Sequence, residues 1–444
     1  TTGESDAFDR YSDLDYELRM LHSDPDAFSK LQAFRESGMI KKPLLARQLD
    51  LIYNAYLTNQ IKPELLKEIV DQSSKVEKAF STFRGKINGV EVSNNEIELI
   101  LKTETDSRKR REAWRASKQV APVVADDIVE LVKLRNKAAQ ELGFENYHTM
   151  QLQAGEQDPE EIAAIFDNLY ELTEEPFSQI KAELDARLAE MYGLGVDGLM
   201  PWHYHDPFFQ ETPAVYELDL DTYYADKDVV KLAEQYFSGI ALPVDAIITQ
   251  SDLYERQGKN PHAFCIDIDR EGDVRILCNV ANNERWMETM LHELGHAVYN
   301  RYMDASMPWL LREPAHSFTT EAVAMFFGRL SRNPNWMQEM LELSDEQRDE
   351  IAATANKFAQ LKQLIFARWA MVMFNFERKM YADPEQDLNA LWWELVEKYQ
   401  HVQKPAGRDE PDWAAKIHVA LYPAYYHNYL LGELFASQFH HTLV

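Results

Sequence analysis

The chain has 444 residues and a mass of 51.6 kDa, with 45% apolar and 27% charged residues, ordinary values for a water-soluble globular protein that buries a large core. A formal charge of −28 repels phosphate backbones and anionic lipid, which excludes nucleic-acid binding and polybasic membrane docking. Two cysteines exclude a disulfide framework and a thiolate zinc cluster, and 16 glycines with 18 prolines disfavour a loop-rich all-β protein.

The chain opens Thr-Thr-Gly-Glu-Ser-Asp without an initiator Met, which reads as a processed or engineered start and is compatible with export. Residues 11–190 read as successive amphipathic helices: Leu45, Leu49, Ile52 and Tyr56 recur at helical spacing, as do Val124, Ile128 and Leu131. Gly143 follows the stretch 137–142 like a C-cap. Between Gly193 and Pro213 the texture changes to a long loop rich in Gly, Pro and aromatics, including Trp202-His203-Tyr204-His205-Asp206. Residues 263–268 and 274–280 are β-rich runs around Arg270-Glu271-Gly272-Asp273, which predicts a β-hairpin. Helical periodicity then returns to the end. No apolar stretch reaches the roughly 20 residues of a membrane helix; the longest, residues 364–376, is broken by Arg368. A length that allows about three domains shows no composition break to separate them. The expectation is one mainly α, elongated helical body over 1–444. It has a helical lobe or lid at 1–190 and a second part at 191–444, two lobes flanking a deep cleft, with the small hairpin in the second part.

The strongest chemical signal is His292-Glu293-Leu294-Gly295-His296, inside an apolar-periodic stretch at 286–303. On a helix, imidazoles at i and i+4 share one face about 6 Å apart and can grip one Zn²⁺, with Glu293 beside them as a base toward a metal-bound water. The bland alternative, two histidines on a polar face, fits poorly amid Met287, Met290, Leu291, Leu294, Ala297 and Val298, where unpartnered imidazoles are costly to bury. Catalytic zinc needs a third protein ligand. A pattern with a third histidine six residues on would need it where Tyr302 stands. The candidate is instead Glu321, the isolated acid of an apolar helix opening at Thr319-Thr320, although a first-turn Glu also simply favours the helix dipole. Near the C-terminus, Lys416-Ile417-His418 precedes Tyr422, Tyr425, Tyr426 and Tyr429. If that stretch is helical, Tyr422, Tyr426 and Tyr429 share a face; such a stripe is commonly core, but His and Tyr also serve as donors to an anionic intermediate.

These residues, in this order, resemble the angiotensin-converting-enzyme family of zinc peptidyl-dipeptidases, within the wider gluzincin class that includes thimet oligopeptidase. The resemblance rests on His292–His296, on His262-Ala263-Phe264-Cys265-Ile266-Asp267, on Trp392-Trp393-Glu394-Leu395-Val396-Glu397-Lys398-Tyr399-Gln400, on Ala415-Lys416-Ile417-His418 and on Gln438-Phe439-His440, running from about Trp114 to the end. It implies one zinc per chain held by His292, His296 and Glu321, with Glu293 as general base and then acid. Tyr429 and His418 would stabilise the oxyanion, and Lys416 and Tyr426 would hold the peptide's C-terminal carboxylate. His262 and the backbone of Ala263 would pair with an extended substrate. The family's third carboxylate holder is a glutamine, and the alignment puts His203 near it.

The implied function is hydrolysis of oligopeptides with a free C-terminus, releasing dipeptides, without nucleic-acid partners or membrane insertion, in a soluble periplasmic or extracellular protein. An endo-acting oligopeptidase, a carboxypeptidase trimming single residues and a catalytically silent, zinc-stapled peptide binder are the rival readings. Departures are also legible. The family's Gly-Asp after the ligand glutamate is Ala324-Met325 here, so a carboxylate that would orient a zinc histidine is missing or comes from elsewhere. The cysteine preceding the family's strand histidine is Pro261, and the chain stops near Val444 where family members add several helices, as a compact or a truncated member would. The family's chloride-site arginines fall at Val396 and Asn428. Chloride is therefore not expected to be required: activity should stay flat when chloride replaces another anion at constant ionic strength, and a steep rise would contradict this.

Overall fold

A computed structural model describes residues 10, 14, 17–213, 215, 219–256, 259 and 262–443. The expectations for the first six residues, for most of 11–16 and for Pro261 lie outside the described residues. The remainder is mainly helical, with two antiparallel two-stranded sheets. Packing divides it into two units that take alternating stretches of chain, so the division does not fall at residue 190. Periodicity marks which face of a helix is apolar and not which neighbour covers it.

One unit takes the described residues of 61–217 and 358–430. Its longest complete helix, Pro159–Tyr192, starts where Asp158 accepts from the Glu160 and Glu161 backbone N–H groups and Pro159 fills the first turn; it stops at Gly193, whose φ of 62° only glycine adopts freely. The helix Ala121–Glu141 ends as the sequence implies, with Gly143 at φ 90°. The core is aromatic: Trp114, Phe166, Phe177, Trp369, Phe374 and Phe376 are buried. Arg368, which interrupts the longest apolar run, is fully buried, and its guanidinium bonds Glu174 at 2.9 Å and Thr173 at 3.0 Å.

Two details of this unit depart from the sequence expectation. Residues 85–92, read there as part of a helical run, form a hairpin of β1 (Gly85–Ile87) and β2 (Val90–Val92). Asn88-Gly89 is its turn, with φ of 52° and 84°, the left-handed pair that a two-residue hairpin loop requires. Nor is the tyrosine-rich segment one helix. Helix Ile417–Leu421 ends before Pro423, Ala424 takes φ 54°, and a new helix, His427–Leu443, begins. Pro423 has no N–H to continue the ladder, so the tyrosines are placed by a turn rather than by helical period.

That turn is held from below. Buried Glu377 accepts from the Ala424 N–H at 3.1 Å, and buried Arg135 donates to the Ala420 carbonyl at 2.8 Å. Burial pushes the Glu377 carboxyl up to about 8, against the lowering effects of the Ala424 bond and of Arg135.

The other unit takes the described residues of 1–60, 218–357 and 431–444. Helices Pro25–Ser37 and Pro43–Leu57 pair with each other and bury no residue completely. Its core gathers Phe237, Val274, Ile276, Met287, Met290, Leu291, Leu294 and Phe327 around the helix Glu284–Arg301. Strands β3 (Phe264–Asp267) and β4 (Val274–Leu277) form the expected hairpin, in register Phe264↔Leu277 to Asp267↔Val274. The turn is built by Asp267 and Asp269, whose side chains accept from the Arg270, Glu271 and Asp273 N–H groups.

The folded-state pKa of Glu377 lies above that of an unfolded chain, so its contribution to stability is full below about 4.5 and lost as pH rises through about 8. Glu377→Gln should therefore change thermal stability little at pH 5 and raise it relative to the parent at pH 9. Equal shifts at both pH values would show that this carboxyl does not titrate across that window.

Candidate metal centre

The helix Glu284–Arg301, here the motif helix, is capped by Asn283, whose side chain accepts from the Trp286 N–H. Its apolar side is buried in the core, which leaves His292 and His296 on the opposite side, one turn apart, with ring centroids separated by 4.8 Å. The second helix, Ser317–Gly328, crosses it closely. A Cβ on Gly295 would lie 2.7 Å from the Ala324 Cα and 3.2 Å from the Phe327 ring. The glycine inside the motif therefore removes the one atom that would hold the helices apart.

That approach delivers Glu321. Its Oε2 lies 3.7 Å from His292 Nε2 and 3.8 Å from His296 Nε2, and one ligand atom from each residue falls within 4.8 Å of the other two. Two imidazole nitrogens and one carboxylate oxygen converging on a common point, all from rigid helices, fit a catalytic zinc site, which takes three protein ligands and keeps a fourth position open. The electrostatics agree. Burial and the neighbouring His292 push His296 down to about 3, so it is neutral, as a ligand must be. Burial raises the Glu321 carboxyl. Burial, then the Glu321 charge, pushes Glu293 up to about 8. Burial works against a charge on each of these groups, and a divalent cation held among them would favour the ionised carboxylates.

The triad opens on a cavity of about 760 Å³ lined by residues 263–268 of the hairpin, by Glu293 and Asn300 of the motif helix, and by Trp309, Arg312 and Thr320. The outer edge of β4 is occupied: Cys278 N–H bonds the Asp252 carbonyl and Val280 N–H the Leu253 carbonyl. Among the described residues no strand pairs with the outer edge of β3. Ala263, just before β3, lines the cavity, and His262 is exposed beside it. Cys265 also lines the cavity, but burial, then the Glu293 charge, pushes its thiol up to about 12, as burial does for Cys278, so neither offers a thiolate.

Lys416, His418, Tyr426 and Tyr429 belong to the unit of 61–217 and 358–430, where they form a cluster of their own. Lys416 is buried with Nζ 2.7 Å from Gln210 Oε1, among the rings of Phe208, Trp369 and Tyr426. Burial pushes it down to about 8, against the pull of Asp206 and Glu211. The Tyr426 hydroxyl accepts from the Trp369 indole N–H at 2.6 Å. His418 packs on Tyr426 at 5.3 Å, and its Nδ1 is buried with no hydrogen-bond partner. Tyr429 packs on Tyr426 at 5.3 Å.

His203 is not beside Lys416. Its Nδ1 accepts from the Met200 N–H at 2.8 Å and its Nε2 lies 2.8 Å from the Ser107 hydroxyl, so both nitrogens brace the loop. The glutamine that touches Lys416 is Gln210, seven residues further on, which the sequence reading missed. The signal was available, because the family expects a glutamine and Gln210 is the one in that loop. Asp206 fixes it there by accepting from the Phe208, Gln210 and Glu211 N–H groups. At Asn428, where the family has a chloride arginine, the side chain accepts from Gln157, whose other amide atom meets His427 at 2.7 Å.

A family model described as angiotensin-converting enzyme, a peptidase family, matches residues 12–205 and 202–444. The chain is 24% identical over 362 residues to the inactive angiotensin-converting enzyme-related protein of Caenorhabditis elegans, covering 73% of this chain and 40% of that protein. It is 23% identical over 366 residues to angiotensin-converting enzyme of Sus scrofa, covering 74% and 27%, and 27% identical over 190 residues to that of Theromyzon tessulatum, covering 41% and 30%. The chain thus spans 27–40% of the length of these relatives. With the family model covering nearly the whole sequence, the chain belongs to the angiotensin-converting enzyme family.

Proposed function

We propose that the chain is a zinc metallopeptidase that releases dipeptides from the C-termini of oligopeptides. The observation that carries this reading is the convergence of His292, His296 and Glu321 with Glu293 buried beside them, in a cavity walled by the β3 edge that no strand among the described residues pairs with. Inactive is part of the name of the nematode relative and belongs to that protein; this chain keeps both histidines, the glutamate between them and the third ligand. A structural zinc site has no use for a base next to its open position, which speaks against a silent, zinc-stapled binder.

When bound, zinc supplies Lewis acidity, polarising the scissile carbonyl and acidifying an attacking water. The rest is done by side chains. Glu293 takes the water proton and returns it to the departing amine, a shuttle suited to a carboxyl whose affinity for protons burial has raised. Ala263 and the edge of β3 offer backbone N–H and C=O groups to an extended peptide, which fixes its register by strand addition, with His262 alongside. Following the family pattern, His418 and Tyr429 donate to the developing oxyanion, and the unpartnered Nδ1 of His418 supports a role that only substrate completes. Each such donor stabilises the transition state by about 3 kcal/mol, or roughly 100-fold in rate. Lys416 and Tyr426, with Gln210 added and His203 removed, hold the terminal carboxylate. An arriving carboxylate restores the full charge of a lysine that burial has weakened. In the family pattern a held terminus sets the cut two residues away, and dependence on that terminus distinguishes this reading from an endopeptidase.

Among the described residues no helix is long and apolar enough to cross a membrane. A periplasmic or extracellular setting is part of the proposal and rests on the export common in the family.

Two measurements test the reading. A peptide digest followed by mass should show losses of two residues from free-acid peptides, abolished by a chelator and strongly reduced by C-terminal amidation. An unchanged rate on the amide would favour endo-acting cleavage, and losses of one residue a carboxypeptidase. Glu293→Gln should keep one zinc per chain and lower turnover by at least 1,000-fold, about 4 kcal/mol of barrier; retained turnover would show that another group is the base.

A further inference from the structure

The family pattern places a carboxylate four residues beyond the ligand glutamate to orient a zinc histidine, and this chain has Met325 there. The Met325 sulfur lies 3.3 Å from where a Cβ on Gly432 would sit, so that side chain packs on the C-terminal helix. Support for His296 comes instead from the residue before the ligand glutamate. The ring presents Nε2 toward Glu321, at 3.8 Å, and its Nδ1 lies 2.8 Å from the Thr320 hydroxyl oxygen. Thr320 and Glu321 are adjacent on one helix, and the close approach of Ala324 to Gly295 fixes that helix against the motif helix. One helix thus supplies both a ligand and the brace of another ligand.

Metal-bound histidines nearly always donate their second ring N–H, and the acceptor decides two things. It fixes the ring's tautomer and direction, and, when it is a carboxylate, it raises the basicity of the ligating nitrogen. A hydroxyl does the first and contributes little to the second, because it carries no charge. We propose that Thr320 is the positioning residue for His296, and that this neutral brace, in place of a carboxylate, sets the zinc affinity of the centre below what a carboxylate at the same position would give. The inference rests on the metal-centre reading, but its test does not depend on catalysis.

The metal-free full chain is titrated with zinc against a chromogenic chelator. Thr320→Val, which keeps the shape and removes the acceptor, should weaken zinc binding 10–100-fold; Thr320→Ser should restore it to within about threefold of the parent. Thr320→Asp should tighten binding by about 10-fold. The metal-free Val variant also loses one part-buried hydrogen bond, so a modest drop in its unfolding temperature is expected; a loss of zinc affinity in a variant that still unfolds cooperatively is what a merely structural role would not give. Unchanged affinity in Thr320→Val overturns the positioning role. If that variant does not fold, the Ser and Asp variants decide: loss of affinity in Ser, or an Asp variant binding no tighter than the parent, overturns the inference. A parent chain that takes up no zinc at all overturns the metal centre itself, while a parent that binds zinc with no difference among variants overturns only the brace.

Discussion

The contact between Gly295 and Ala324 governs the candidate centre. A histidine pair one turn apart is easy to write into any helix, but the third ligand lies 25 residues later on another helix. It reaches the pair because two backbones approach more closely than any side chain at 295 would permit. A tight approach recurs at Gly432, where a Cβ would lie 3.2 Å from the Glu321 Cβ, whereas at Gly328 it would make an ordinary contact at 3.4 Å with the Glu288 carbonyl and the His292 Cβ. Gly295 and Gly432 thus each remove bulk next to a ligand or its helix. Rigid helices brought this close hold their ligands with little freedom to lose when a metal binds, which is the condition for a pre-organised site.

Much of this was legible in the sequence, for identifiable reasons. The motif helix, the carboxylate helix and the β3–β4 hairpin all announce themselves through period and turn chemistry, which are local signals. The Asn88-Gly89 hairpin was equally local and was obscured by the strong helical pattern on both sides. What the sequence does not contain is partnership. Nothing in the string says that Glu321 faces His292, that Gln210 and not His203 meets Lys416, or that Glu377 and Arg135 grip the turn at 420–424 from elements far away in sequence. Those are facts of packing, and packing also decides how the chain divides into its two units.

Departures from the family pattern share a theme. Where the resemblance calls for a charged group, this chain often has a neutral one already engaged. Thr320 meets His296, Asn428 is tied to Gln157 and through it to His427, and Val396 is buried. At the metal site the group omitted is a carboxylate, and a strongly acidic protein thereby carries one less buried negative charge repelled by the rest.

The two thiols carry a consequence of their own. Cys265 faces the metal cavity and Cys278 lies in the core behind it, and the surroundings of both favour the S–H form far above neutral pH. Peroxides and mixed disulfides attack through the thiolate, so at neutral pH both sulfurs are sluggish targets despite one of them facing solvent-filled space. Burial thereby makes the cavity wall resistant to thiol oxidation without a cross-link.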